Sequence, residues 1–250
     1  MARIGTRMWV GVVITALVAG AIWIRGQESF GAPVVAAPLL ERAALDSLDL
    51  GSEAWTEFRP PTGEANTFTL HGSSEIEVSG TAAASIRWRV MDQPVEGELE
   101  LNWRWRVEAE PEPMPLDAGG SDRPVAVMVG FASGAPPLLV RLARKLPFLP
   151  SNLPDRTLMY VWGGTHERGQ TLDSPFPKVM PGYVFVLRPG GSPHGEWFEE
   201  SVSIADDYRR LFGEEPTRIS HLGITSDGDN TKSKCHAFVA DLRLRAPVGE

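Results

Sequence analysis

The sequence predicts an all-β protein, a two-sheet antiparallel β-sandwich of jelly-roll type, preceded by one amino-terminal transmembrane helix. Three observations carry this prediction. Apolar and polar residues alternate through two tryptophan-bearing segments, 85–90 and 99–107, which is the period of a strand with one buried face. The 250 residues include 25 glycines and 21 prolines, set between short apolar runs where turns are needed. Met8–Ile24 runs 17 residues without a charge, between Arg7 and Arg25.

In chain order, the uncharged run comes first. At a rise of about 1.5 Å per residue it covers about 25 Å, near the lower limit for a bilayer span. Arg3 and Arg7 ahead of it favour an amino end left in the cytoplasm and a remainder exported. A cleaved signal peptide is the alternative, but its nearest small-x-small site, Val35-Ala36-Ala37, is followed at once by Pro38. The expected arrangement is a single-pass inner-membrane protein with its domain in the periplasm. A cleaved, periplasmic or secreted form is the other outcome.

Residues 26–50 read as a stalk, with a short helix over Glu41–Leu50 that ends near Gly51. The sandwich occupies residues 51–246. Strands are predicted at Asn66–Leu70, Glu75–Ser79, Ser85–Val90, Leu99–Val107 and Val125–Phe131, then at Thr157–Trp162, Tyr183–Leu187, Glu196–Ile204, Arg218–Thr225 and His236–Leu244. Ile86, Trp88 and Val90 share one face of the third; Leu99, Leu101, Trp103, Trp105 and Val107 share one face of the fourth, and both sets are expected in the sandwich core. Pro137–Pro150 predicts an amphipathic helix laid on the sandwich through Leu138, Leu139, Leu142 and Leu146, with Arg141, Arg144 and Lys145 elsewhere on its surface; set against a membrane instead, these three cations beside the leucine stripe would attract anionic lipid. Ala205–Phe212 predicts a second helix, opened by Asp206 and Asp207 and closed by Gly213 and Pro216.

The formal net charge is −8. Without the first 25 residues, which hold three arginines and no acid, 21 basic and 32 acidic residues remain, a net of −11. Such a domain does not bind nucleic acid by bulk electrostatics. The single cysteine, Cys235, excludes a disulfide framework within the chain and any multi-cysteine metal site. Its neighbour His236 points to the opposite face of a strand, so Cys235 reads as a small buried hydrophobe.

No nucleophile elbow, Walker loop or dinucleotide glycine pattern is present. His166-Glu167 lacks the second histidine of a zinc-protease helix, since Gln170 stands in that position. Asp227-Gly228-Asp229-Asn230-Thr231 matches the nucleophile loop of haloacid-dehalogenase-like phosphatases, but only 19 residues follow it, too few for that fold. It also fails as an EF-hand, with Lys232 at the glycine position and Phe238 at the closing glutamate. What remains is a carboxylate-rich turn. Asp227, Asp229 and Asn230, with Asp241 if the last two strands fold back as a hairpin, offer oxygens to a structural calcium; the simpler reading, and the favoured one, is a turn that caps its own backbone without any cation. No other cofactor is required. The pairs Glu199/Glu200 and Asp206/Asp207 are not acid/base couples, the first because neighbours in a strand face opposite ways.

Two sets of residues are candidates for ligand binding. Trp162 ends an apolar strand just before Gly163-Gly164, where a loop can present an aromatic ring to a sugar. Arg87, Arg89, Arg104 and Arg106 lie opposite the tryptophans; if their strands pair, four guanidinium groups gather on one outer face and suit an anionic glycan or lipid headgroup. Cross-strand pairing with Glu98, Glu100 and Glu108 is the alternative use for them.

Several of these segments together carry a family resemblance. They are Trp103-Arg104-Trp105-Arg106-Val107, Tyr160-Val161-Trp162-Gly163, the run Asp206–Pro216, Ser226–Thr231, and the final strand into Asp241-Leu242. Over about Trp55–Leu244 the chain resembles the bacterial DUF3047 family. The resemblance implies an exported all-β domain and assigns no catalytic residues. Where members tend to carry paired aromatics before the last strand, this chain has Cys235-His236-Ala237-Phe238, which removes an aromatic platform there. The expected function is non-catalytic binding of a glycan or another envelope component. A polysaccharide hydrolase or lyase on the same sandwich, and an assembly protein that binds another protein, are the alternatives.

Overall fold

The computed structural model describes residues 47–59, 63–117, 121–134, 136–146, 149–177 and 180–245. Met8–Ile24 and most of the helix expected over Glu41–Leu50 lie outside the described residues. Within them, no helix is long and apolar enough to cross a membrane. The described end of the expected helix is a turn: the amide of Leu48 donates to the Leu242 carbonyl (3.0 Å) and that of Leu50 to the Ser73 carbonyl (2.7 Å), and both leucines are buried.

Two sheets make the sandwich. The seven-stranded sheet runs, in spatial order, β1 (Trp55–Phe58), β4 (Ala84–Pro94), β11 (Arg218–Asp227), β6 (Arg123–Ala132), β7 (Arg156–Trp162), β9 (Gly182–Arg188) and β8 (Thr171–Asp173). The five-stranded sheet runs β10 (Phe198–Ser203), β5 (Glu100–Ala109), β12 (Lys234–Arg245), β3 (Glu75–Thr81) and β2 (Thr67–His71). All ten predicted strands are present. The chain adds β1 and β8, of four and three residues, which are too short to show a period. Pairing is antiparallel except between β7 and β9, which run parallel and correct the fully antiparallel expectation. The cause is β8: it takes the sheet edge first, and β9 then fills the place between β8 and β7.

The main core lies between the sheets. β5 contributes Leu101, Trp103, Trp105 and Val107, which meet Val125, Val127, Val129 and Phe131 of β6 and Tyr160 and Trp162 of β7. Trp103 and Trp105 are 3% and 0% exposed, as their period predicted. The helix α2 (Ile204–Phe212) closes one side of this core with Ile204 and Tyr208. The Ser203 hydroxyl caps it by accepting from the Asp206 amide (3.4 Å), and Gly213 ends it at φ 70°.

A second apolar layer covers the far side of the seven-stranded sheet. Ile86, Trp88, Ala126, Met128, Met159, Val161, Val184 and Val186 lie there, under Leu116, Leu153 and the helix α1 (Leu138–Ala143). Strands buried on both faces read as continuous apolar runs, as β6 and β7 do. This layer inverts the expected parity of β4. Ile86 and Trp88 turn to the covered outer layer, while the side chains between them face inward. It also reverses α1: Val140 and Ala143 pack on the sheet, whereas Leu138, Leu139 and Leu142 are 66%, 51% and 50% exposed.

Candidate functional site

Among the described residues, the outer face of the five-stranded sheet has no such covering layer. With Leu101, Trp103, Trp105 and Val107 buried, alternation turns Asn102, Arg104 and Arg106 of β5 outward. Cross-strand partners place Phe238 beside Arg106 and Ala240 beside Arg104. Farther along β12 the register slips. Asp241 adopts φ 54°, a left-handed conformation uncommon for a residue with a Cβ, and the bulge gives β12 an extra residue. Parity therefore changes. Leu242 and Leu244 go into the core, and Arg243 and Arg245 rejoin the outer face, opposite Asn102 and Glu100.

Aromatic rings sit among these arginines. Trp197, just ahead of β10, lies 4.6 Å from the Arg104 guanidinium carbon and 5.1 Å from that of Arg106, measured to the ring centroid. Arg106 also stands 4.4 Å over Phe238, and the Trp197 and Phe238 rings are edge to face at 6.4 Å. On the other side of Phe238 are the rings of His236 (5.2 Å) and His71 (6.0 Å). Glu77 accepts from both imidazole Nε2 atoms at 2.9 Å. The bond from His71 above all, and that from His236, hold the Glu77 carboxyl below its ordinary range although burial works the other way. Asp241 is ion-paired to Arg104 at 2.7 Å, and Glu108 to Arg106 at 2.9 Å.

Between Arg104, Asp241, Arg243 and Arg245 the face dips into a depression of about 170 Å³, lined also by Asn102, Trp103, Glu199 and Glu200. This is below the roughly 300–1,000 Å³ of clefts that engulf a small molecule, and suits a ligand lying across the sheet. The Asn102 amide nitrogen has no hydrogen-bond partner among the described residues, and a buried donor of that kind is one a bound hydroxyl or water satisfies. Glu199 faces this side. Glu200 points inward, where it accepts from Trp105 Nε1 (3.2 Å) and pairs with Arg188 (2.6 Å).

The sequence-predicted ligand residues divide. Arg104 and Arg106 belong to this face. Arg87 and Arg89 do not join them, because β4 and β5 lie in different sheets and never pair. Arg89 is 8% exposed beside Trp55, its cross-strand partner; Arg87 is ion-paired to Glu57 and donates to the Leu50 carbonyl. Burial lowers the Arg89 guanidinium pKa despite the opposing charge of Asp49. Trp162 is 0% exposed, held between the rings of Trp105 and Phe198, and offers no face to a ligand. Trp197 and Phe238 were missed. Trp197 stands in a loop without periodicity, and Phe238 needs the pairing with β5 to reveal its neighbours.

The acidic turn forms a separate cluster. β11 and β12 belong to different sheets, so the turn between them crosses the end of the sandwich and no hairpin brings Asp241 back. Asp241 stays with Arg104, and Asp122 takes its place: carboxylate oxygens of Asp122, Asp227 and Asp229 lie within 4.8 Å of one another. Asp122 accepts from the amides of Asn230 (3.1 Å) and Thr231 (2.7 Å) and from the Thr231 hydroxyl. The Asn230 side-chain oxygen accepts from the Ser121 amide (3.3 Å) and from the Ser121 hydroxyl (3.4 Å), the same hydroxyl that reaches Asp227. Asp227 accepts from the Ser121 hydroxyl (2.6 Å) and has the buried Arg123 guanidinium 3.7 Å away. Amides and Arg123 thus compensate much of the acid charge. Asp229 keeps the residue of the conflict: burial, then Asp227 and Asp122, push its carboxyl up to about 7. Cys235, behind the turn, is buried, and burial pushes its thiol up to about 12.

A family model described as "Protein of unknown function (DUF3047)" matches residues 53–243. No curated protein matches the sequence. Among solved structures, the chain is similar to the xyloglucanase domain of NopAA, a type three effector from Sinorhizobium fredii, in complex with cellobiose: 8% identity, TM-score 0.46, 80% of this chain and 98% of that one. It is also similar to the family 11 carbohydrate-binding module from Clostridium thermocellum in complex with a β-1,3-1,4-mixed-linked tetrasaccharide: 10% identity, TM-score 0.41, 82% of this chain and 97% of that one.

Proposed function

The chain belongs to the DUF3047 family, and we propose that its sandwich is a non-catalytic domain that binds a glycan of the cell envelope across the open face of the five-stranded sheet. The observation that carries the reading is the group Arg104, Trp197 and Arg106, backed by the nearly buried Phe238, with guanidinium planes and rings alternating on a face that no further layer covers among the described residues. An indole offers an apolar plane to the C–H face of a sugar ring, and guanidinium forks suit the carboxylates or phosphates of an acidic chain. Arg243 and Arg245, delivered by the Asp241 bulge, extend the cationic strip along the depression. Binding is favoured over hydrolysis because the carboxylates nearest these arginines are taken up in ion pairs, Asp241 with Arg104 and Glu108 with Arg106, and do not face each other as an acid/base couple.

The proposed location is outside the cytoplasmic membrane, with Met8–Ile24 as tether. The uncharged run between Arg7 and Arg25 supports it. The binding test is titration of the full-length chain, in detergent, against a panel of acidic and neutral envelope polysaccharides. Arg104→Ala with Trp197→Ala is expected to abolish binding of the best ligand and leave the melting curve nearly unchanged. Undiminished binding by that double variant removes the site, and no binding to any polysaccharide removes the function.

A further inference from the structure

Of the exposed large apolar side chains among the described residues, three of four belong to α1: Leu138, Leu139 and Leu142. This short helix is fastened from beneath. Val140 and Ala143 sit in the covered apolar layer, and Arg144, just past its end, donates to the Leu153 carbonyl and is ion-paired to Asp155 at 2.7 Å. The leucines therefore point away from the sheet by construction, with their backbone held rigid. Arg141 and Lys145 are exposed beside them, and neither has an acidic partner among the described residues. The surrounding sequence is free of acids: no Asp or Glu occurs between Asp122 and Asp155, in a chain that carries 32 of them.

We propose that α1 is a membrane-docking tip, whose Leu138, Leu139 and Leu142 enter the interface of an anionic bilayer while Arg141 and Lys145 contact its headgroups. Leucines flanked by unpaired cations match the chemistry of a monotopic interfacial segment, and the charge of this patch is opposite to that of the leaflet and of the protein as a whole. The docking does not depend on the glycan reading. The helix lies on the outer side of the seven-stranded sheet, so docking through it leaves the five-stranded face turned away from the lipid.

The test uses the full-length chain reconstituted in vesicles of phosphatidylcholine, alone or with about 30 mol% phosphatidylglycerol to supply an anionic surface. An environment-sensitive fluorophore is placed at Leu142→Cys, with Thr69→Cys on the five-stranded sheet as the comparison; Cys235 is buried and does not compete for label. The Leu142 label is expected to move into an apolar environment in the anionic vesicles, with the ratio of docked to free protein raised about twenty-five-fold over pure phosphatidylcholine, roughly fivefold for each cation. The Thr69 label is expected to stay in water. Arg141→Glu with Lys145→Glu should abolish the anionic preference, and Leu138→Ser with Leu139→Ser should abolish docking while leaving the melting temperature unchanged. A Leu142 label that stays in water in anionic vesicles overturns the proposal, as does equal insertion of the Thr69 label. A response that needs no lipid and grows with protein concentration overturns it in favour of a contact between two copies.

Discussion

The two outer faces of the sandwich are built from the same kind of strand and have opposite fates. On the seven-stranded side, Trp88, Met128, Met159 and Val161 point away from the sandwich centre and are buried under α1 and the loops around Leu116 and Leu153. On the five-stranded side, Asn102, Arg104, Arg106, Arg243 and Arg245 point outward, with Trp197 and Phe238 among them and no layer on top among the described residues. The first face serves as a second core and the second is the face proposed to bind a ligand. An aromatic ring in this fold says nothing of its role until its layer is known: Trp88 and Trp197 are both outer-face residues, and only the second lies on the open side.

The strongest challenge to this contrast is truncation on the covered side. Trp88→Ala or Met128→Ala is expected to lose about 2–5 kcal/mol of stability in equilibrium denaturation, the range for large buried side chains; a loss below about 1 kcal/mol would mean that the layer is not a core. The covered side also predicts a pH dependence. His221 lies there against Trp88, and burial foremost, with the nearby Arg144 charge, pulls its imidazole down to about 4. Its folded pKa is below the unfolded value of 6.5, so the unfolded chain takes up the proton first and stability falls as pH drops from about 6.5 towards 4. The full effect is about 3 kcal/mol. His221→Gln should flatten this limb of the stability profile.

Next in size is the end of the sandwich where the sheets are joined. Asp122→Ala removes the acceptor for two amides and one hydroxyl and should cost about 1–3 kcal/mol in the same denaturation assay. Asp229 in this cluster works against His221. Its folded pKa is raised, to about 7 from 3.8, so the native state keeps the proton longer and stability falls as pH rises through that interval. Asp229→Asn should remove this fall and leave the His221 limb exposed; a profile that the substitution does not alter would show that the three acids do not interact. The smallest stability effect belongs to the open face. Trp197→Ala is expected to cost about 1 kcal/mol or less, the scale of an exposed cation–π contact, and its consequence should appear in ligand binding alone.

Much of this was legible from residue order. Period-two alternation or a continuous apolar run, the latter for β6 and β7, located ten strands because each is long enough to show its pattern, and Asp206, Asp207, Gly213 and Pro216 bracketed α2, although its cap Ser203 was not foreseen. Alternation says which residues share a face but not which way that face points. When both sides of a sheet are buried, as for β4, Trp88 and Arg89 are equally plausible as the inward residue. The same ambiguity misdirected α1, whose small Val140 and Ala143 make the contact that its leucines were expected to make. Asp122 was invisible because its partners lie more than a hundred residues away, joined by a turn between sheets. The bulge at Asp241 did leave a trace: Val239, Leu242 and Leu244 break the alternation by one residue, at the point where Arg243 and Arg245 change sides.

The strand order also dictates when the protein can fold. β11 lies between β4 and β6, and β12 lies between β5 and β3. Without these two strands the larger sheet falls into separate pieces of two and four strands, and the smaller into two hairpin-sized pairs. No chain still lacking residues 218–245 can complete either layer, so closure of both sheets waits for these two strands. Pairings so distant in sequence close slowly. For a domain proposed to work beyond the cytoplasmic membrane this delay is useful, because an unfolded polypeptide is what a translocation channel can thread. On that proposal β11 and β12 emerge after every strand they join, and their arrival is what lets a threaded chain close into a sandwich.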